Sequence, residues 1–244
     1  MHRRTLMKSL LAAGALAGGL VAAGTATANS KRPSAVVKPK RLQAGMTVGL
    51  IAPAGASRNR QQVYHAIDVL KSLDYKVKEG KHLYNRTQYL AGTDLERAED
   101  INRMFADPAV DAIFTLHGGY GTMRTLPYLD YDMIADNPKV IIGYSDITGL
   151  LLALYARTGL ACFHGPCAVS TFSEYTLDEY KKVVVNPTST AVIGAPPVKE
   201  YPEGQAERAN RIMKFSGGKA RGRLLGGNLS LLSPLVGTPY QPDF

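Results

Sequence analysis

The chain has 244 residues, 45% of them hydrophobic and 20% charged, the balance of a globular protein with one full core and part of a second. Its formal charge of +9 comes from scattered basic residues without interleaved aromatics on one element, which argues against a nucleic-acid groove and fits, generically, an anionic cell envelope. No apolar run past residue 30 is long enough to span a bilayer, so no stable membrane insertion is expected once the N-terminal segment is removed.

That segment, residues 1–28, reads as an export signal. A basic head (His2 to Lys8) is followed by a small, apolar stretch (Ser9 to Val21), and Ala26-Thr27-Ala28 precedes the polar Asn29. Arg3-Arg4 followed by Leu6-Met7-Lys8 resembles a twin-arginine signal, an ordinary secretory signal being the alternative. Either one carries the protein out of the bacterial cytoplasm, to the periplasm or beyond, and its removal takes away the charges of Arg3, Arg4 and Lys8. Residues 29–45, rich in Lys, Pro and Ser without periodicity, read as a linker, either a tether or an edge.

Order is expected from Thr47. An apolar strand, Thr47 to Ala52, ends in the loop Pro53-Ala54-Gly55-Ala56-Ser57, a position that often faces the ligand in an open α/β sheet. A helix with Val63, Ile67, Leu70 and Leu73 near one face follows, then a short strand around Tyr75-Lys76-Val77. Thr93-Asp94-Leu95-Glu96 has capping-box spacing and starts a helix through Ile101, Met104 and Phe105 that must stop before Pro108.

The next strand, Val110 to Leu116, runs into His117-Gly118-Gly119-Tyr120-Gly121-Thr122. This loop lacks the Lys-Ser/Thr of a P-loop and the full dinucleotide spacing, so no cofactor is expected from it. Glycines let backbone N–H groups approach a ligand closely, which makes Gly119 a candidate oxyanion donor; a tight turn without a role is the alternative.

After a short helix ended by Asn137-Pro138, the β-branched run Val140 to Ile142 meets Gly143-Tyr144-Ser145-Asp146 and passes at once into Leu-rich helical spacing. A strand turning sharply into a helix lifts the Ser145 hydroxyl above the end of a sheet and aims the Asp146 amide where an oxyanion would form. Acyl transfer to Ser145 is one reading. An N-cap serine is the other, since the fifth position is Ile147 rather than the glycine of the usual hydrolase elbow. The helix from Asp146 to about Arg157 ends at Thr158-Gly159, and Ala161-Cys162-Phe163 forms a further strand into His164-Gly165-Pro166. Cys162 and Cys167 lack the additional ligands of a metal site, and stand either as a disulfide or as buried free thiols.

Alternating strands and helices from 47 to 166 predict an α/β fold, an open, mostly parallel sheet with helices on both faces, in a domain spanning 46–186. Strand C-termini would gather Pro53, the Gly118 loop, Ser145 and His164 at one rim. A last helix is expected to open at the capping-box spacing Thr176-Leu177-Asp178-Glu179. Residues 187–244, broken by Ala195-Pro196-Pro197 and Gly217-Gly218, read as a linker and the incomplete start of a β-rich second domain, with a strand, a glycine turn and an apolar helix over 220–236.

A nucleophilic serine needs a base, usually a histidine oriented by a carboxylate. His65 lies mid-helix and His82 in a charged loop; His117 and His164 follow strands that could approach Ser145, yet no acid-then-histidine pair lies downstream of it.

Taken together, Ile51-Ala52-Pro53, His117 to Gly121, Gly143 to Asp146, His164-Gly165-Pro166, Gly226-Gly227-Asn228-Leu229 and Gly237-Thr238-Pro239 resemble, in order and spacing, the LD-carboxypeptidases of bacteria. The likeness runs from about residue 45 to the end. It implies a serine peptidase with a Ser-Glu-His triad, working without metal or cofactor, that cuts the terminal D-alanine from murein tetrapeptides in cell-wall recycling. Ser145 would be the nucleophile. Asp146 and Gly119 would supply oxyanion amides, and Gly118, Tyr120 and His164 would touch the murein peptide. Microcin C immunity peptidases share the elbow and are the alternative. A homodimer of an intact parent is left open. The family's Glu and His follow the Gly-Thr-Pro segment, and this chain ends before both. The expectation is therefore either a truncated peptidase, inactive alone, or an exported remnant that binds peptidoglycan peptides.

Overall fold

The computed structural model describes residues 35–197 and 214–243; the export-signal reading falls outside them. Five parallel strands form one sheet: β1 (Thr47–Ile51), β2 (Lys76–Glu79), β3 (Ala112–Thr115), β4 (Val140–Gly143) and β5 (Phe163–His164), in the order β2-β1-β3-β4-β5. The three central strands carry apolar side chains on both faces, as a sheet covered on both sides requires. Val48, Leu50, Ala112, Phe114, Val140 and Ile142 enter one core, and Ile51, Ile113 and Ile141 the other. The edges differ: β2 is charged and exposed (Lys76, Lys78, Glu79), and β5 is only two residues long, both common ways of blunting an edge.

The first core is closed by α1 (Arg60–Ser72), through Val63, Ala66 and Leu70, and by Tyr180 and Val184 at and beyond the end of α5 (Glu174–Tyr180). The second is closed by α2 (Asp94–Ala106), α3 (Tyr131–Asp136) and α4 (Thr148–Thr158), whose Leu150 to Leu154 are all buried. The strand order changes direction between β1 and β3. The loops leaving their C-terminal ends, 53–57 and 117–122, therefore flank the crevice where open α/β sheets place ligands.

Several boundaries move. The third strand is Ala112–Thr115, shorter than Val110 to Leu116, and β5 begins at Phe163 rather than Ala161. The last helix is capped by Ser173, whose hydroxyl accepts from Thr176 N–H, so Thr176 lies in its first turn and is not its cap. Residues 36–42 lie against the domain: Val37 N–H donates to Gly159 C=O at 2.8 Å, Ala161 N–H donates to Val37 C=O at 2.8 Å, and Leu42 is fully buried. The described residues beyond 186 hold no strand; they hold one helical turn, α6 (Leu229–Leu232), and a 3₁₀ turn, Ser233–Leu235, that sends Leu235 into the second core. Among the described residues no helix is long and apolar enough to cross a membrane.

The capping box of α2 is formed as its spacing predicts. Glu96 N–H donates to Thr93 Oγ1 at 3.2 Å and Thr93 N–H to Glu96 Oε2 at 2.7 Å. The hydrogen bond from the Thr93 backbone holds the Glu96 carboxyl below the ordinary glutamate value. A carboxylate with a lowered folded-state pKa contributes stability above its unfolded value and loses it as pH falls through the folded one. Glu96→Gln should accordingly flatten the stability profile between about pH 5 and 3, measured by urea unfolding at stepped pH.

Candidate active site

β4 delivers the elbow. Tyr144 is extended, with φ −146°, and Ser145 then turns into the left-handed region at φ 62°, one of three non-glycine residues there among those described. A bulkier-than-glycine residue holds that conformation only where its surroundings dictate it, and such strain gathers at functional sites. A 3₁₀ turn, Ser145–Ile147, leads directly into α4. Neither segment has a side-chain cap, the N-cap positions being Tyr144 and Ile147, so Ser145 is not serving as an N-cap. Its residue is half-buried, and its hydroxyl has no hydrogen-bond partner among the described residues. Gly143 makes the turn possible: a Cβ there would lie 2.3 Å from Thr115 Oγ1 and 2.9 Å from Ile147 Cγ2.

The glycine loop closes on this elbow. A Cβ on Gly118 would stand 2.9 Å from Ser145 Cβ, 3.2 Å from its Oγ and 3.3 Å from the Asp146 amide nitrogen. Gly119 has φ +125° and lies against Gly55 of the β1 loop. Asp146 works at both ends. Its amide stands at the opening of the helical turn, where no preceding carbonyl of that helix can take it. Its buried carboxylate accepts from Thr122 N–H at 2.8 Å and from the Thr122 hydroxyl, tying the elbow to the far end of the glycine loop.

A buried arginine ties that loop to the next one. Arg97, on α2 and 1% exposed, donates from Nη1 to Pro53 C=O at 2.7 Å and to Gly121 C=O at 2.8 Å, and its Nη2 pairs with Asp94. Asp94 is also held by Arg124 at 2.9 Å. Burial lowers the Arg97 pKa, and Asp94 opposes that shift.

The rim carries exposed rings. Tyr120, 74% exposed, meets Tyr89 edge to face at 6.3 Å between centroids. Tyr144 meets His164 in the same manner at 6.5 Å. His164 is paired in register with Gly143 across β5 and β4, which places it beside the elbow. Burial of its ring holds its pKa below the ordinary histidine value, although the residue as a whole is exposed. It stands at the wall of an apolar cavity of about 760 Å³ bordered by Leu151, Cys162, Tyr180 and Leu224, whose lining does not include Ser145.

The strand ends thus bring together Gly118, Gly119, Tyr120, Ser145, Asp146 and His164. No imidazole hydrogen-bonds to Ser145 among the described residues. His117 Nδ1 is committed to Gly118 C=O at 2.7 Å, His82 Nε2 pairs with Glu99 at 2.9 Å, and His65 is exposed on α1. Cys162 and Cys167 are free thiols, both raised in pKa by burial, and Cys167 lies 3.3 Å from Thr115 Oγ1. No group of three or more His, Cys, Asp or Glu that could hold a metal occurs among the described residues.

Arg97, Thr122, Thr115 and Tyr89 escape the sequence reading. Only the Asp94-to-Arg97 spacing hints at an ion pair, and nothing in it announces that the guanidinium is buried. The Gly226-Gly227-Asn228 segment also reaches the site's support: Asn228 N–H donates to Thr148 Oγ1 at 3.1 Å, at the start of the helix that Ser145 opens into.

Residues 48–165 match the model of the LD-carboxypeptidase N-terminal domain. The "Probable murein peptide carboxypeptidase" of Bacillus subtilis is 40% identical over 206 residues, covering 84% of this chain and 61% of that protein. The microcin C7 self-immunity protein MccF of Escherichia coli is 32% identical over 222 residues, covering 83% of this chain and 64% of that protein. The chain therefore spans less than two thirds of the length of these relatives. The crystal structure of an MccF-like protein from Bacillus anthracis superposes with a TM-score of 0.69 at 30% identity, covering 85% of this chain and 67% of that one. On the matched domain, the sequence identity and the shared fold, this chain belongs to the LD-carboxypeptidase family of peptidases.

Proposed function

We propose that Ser145 is the nucleophile of a serine-type carboxypeptidase that removes the terminal D-alanine from murein tetrapeptides during cell-wall recycling. The observation that carries this reading is the left-handed turn at Ser145, pressed against Gly118 with the Asp146 amide alongside. The name of the Bacillus subtilis relative supports the substrate class. Ser145 Oγ would attack the carbonyl preceding D-alanine, and the Asp146 and Gly119 N–H groups would receive the negative oxygen. Collapse would expel D-alanine, its amine taking a proton, and water would release the acyl group from Ser145. The exposed ring of Tyr120 and the imidazole of His164 would contact the peptide. The signal read in residues 1–28 supports action outside the cytoplasm.

The described residues put no proton acceptor on Ser145. Turnover by these 244 residues is therefore expected to fall about 10⁶-fold below that of a complete triad enzyme. The test is calorimetric titration of the purified chain with murein tetrapeptide, alongside mass spectrometry for free D-alanine. Saturable binding without release is the expected result. Release abolished by Ser145→Ala would bring His164 or His117 back as the base, and release that survives Ser145→Ala would remove Ser145 from the chemistry. Binding of aspartyl sulfamoyl adenosine in place of the tetrapeptide would move the substrate to the microcin class, since that ligand occupies a solved MccF structure.

A further inference from the structure

We propose that His117 is a positioning residue for the oxyanion donors. Its Nδ1–H, with the Gly55 N–H, holds the Gly118–Gly119 peptide so that the carbonyl faces the β1 loop and the Gly119 N–H faces Ser145. The inference rests on Ser145 as nucleophile and deepens that reading by naming what orients one of its two donors.

Gly118 C=O accepts two hydrogen bonds, from His117 Nδ1 at 2.7 Å and from Gly55 N–H at 3.2 Å. A carbonyl oxygen only accepts, so Nδ1 carries the ring's proton and Nε2 is left with a bare lone pair in the neutral ring. That Nε2 is buried and has no partner among the described residues. A ring present only to fill volume would better be a phenyl, which has no nitrogen to leave unmatched. The polar contribution of this imidazole is its single Nδ1 donor.

The geometry of a peptide unit does the rest. Every described peptide bond is trans, so the Gly119 N–H runs antiparallel to the Gly118 carbonyl. With the carbonyl drawn to Gly55 and His117, the N–H is turned from the β1 loop. Gly118 stands between that loop and the elbow, its open face 2.9 Å from Ser145 Cβ in the sense of an added Cβ. The Gly119 N–H has no acceptor among the described residues and is free to meet a negative oxygen.

The opposite orientation is within reach, which is why a lock matters. A peptide between two glycines has no Cβ on either side to resist a half-turn. Gly119 already sits at φ +125°, a conformation that L side chains rarely adopt. Turned over, the same unit would present a carbonyl to the developing oxyanion and repel it. Of the two bonds preventing this, the imidazole's is the shorter.

The test uses the chain labelled with ¹⁵N and ¹³C at histidine and glycine. NMR is expected to show a pyrrole-type Nδ1 and a pyridine-type Nε2 at His117. The Gly118 carbonyl and Gly119 amide signals should shift in His117→Phe and return in His117→Asn, whose Nδ2 takes the place of Nδ1. A peptide boronate that adds to Ser145 as a tetrahedral anion should bind about tenfold more weakly to His117→Phe and recover in His117→Asn, with affinity for the tetrapeptide itself unchanged. The reversed tautomer in the unsubstituted chain, or glycine signals that stay in place in His117→Phe, would overturn the proposal. If His117→Phe does not fold, the tautomer and the His117→Asn spectra still decide. Failure of every form to bind tetrapeptide, with the NMR results as expected, would count against the substrate and leave the role of His117 standing.

Discussion

Arg97→Met is expected to lower the free energy of unfolding by about 3 kcal/mol and to loosen the glycine loop beside Ser145. The guanidinium is fully buried; its loss strands the Pro53 carbonyl, leaves the Gly121 carbonyl with the Arg124 N–H alone at 3.1 Å, and removes one of the two partners of Asp94. A buried charge pair broken at one member usually costs about 3–5 kcal/mol. The lower end applies because Asp94 keeps Arg124 and is itself partly exposed. Urea unfolding gives the stability. Hydrogen exchange at residues 117–122 gives the second readout, where protection should fall more than in α1, which Arg97 does not support. Unchanged exchange in the loop, with stability lost, would confine Arg97 to the fold and remove it from the support of the site.

Gly143→Ala should be of similar severity for a different reason. The added methyl would sit 2.3 Å from Thr115 Oγ1 and 2.9 Å from Ile147 Cγ2, so β3 and the first turn after the elbow cannot both keep their places. Thr115 is held by its bond to Ile142 C=O at 3.1 Å, which leaves little freedom to yield. Overpacking of this kind costs about 1–3 kcal/mol or more. The compensating variant is Gly143→Ala with Thr115→Ala, which removes the nearer obstacle. Thr115→Ala alone should cost about 1 kcal/mol for the lost hydrogen bond. The double variant should therefore be more stable than Gly143→Ala alone, a strong non-additivity that denaturant titration of the four proteins would measure. Simple addition of the two costs would show that the contact with Ile147, or a shift of the whole turn, dominates.

The order of the elements was legible because periodicity and caps state it locally. Thr93 and Glu96 close the capping box their spacing predicts, and Val140 to Ile142 form a strand buried on both faces. Boundaries failed where a competing local choice won. Ser173 takes the cap expected of Thr176 because either hydroxyl could serve, and only packing selects between them. At the site, Ser145 and the glycine loop stand out because the turn and the close approach demand particular residue types. Thr122 and Arg97 do not: a threonine in a loop and an arginine on a helix are unremarkable until the partners, Asp146 at 24 positions' remove and Pro53 at 44, are seen in contact.

Local chemistry along the chain was enough to determine that a buried strand turns sharply at Gly143 and Ser145 and that glycines follow the third strand; the family came from the resemblance of the motifs taken together. Tertiary structure alone decided that Ser145 enters the left-handed region without capping a helix, that Gly118 stands against it, and that Arg97 and Asp146 hold the surrounding loops. The division has a physical cause. Turns and strands are specified by neighbours in sequence, whereas a buried charge or a pinned carbonyl is specified by partners that meet only once the sheet has formed.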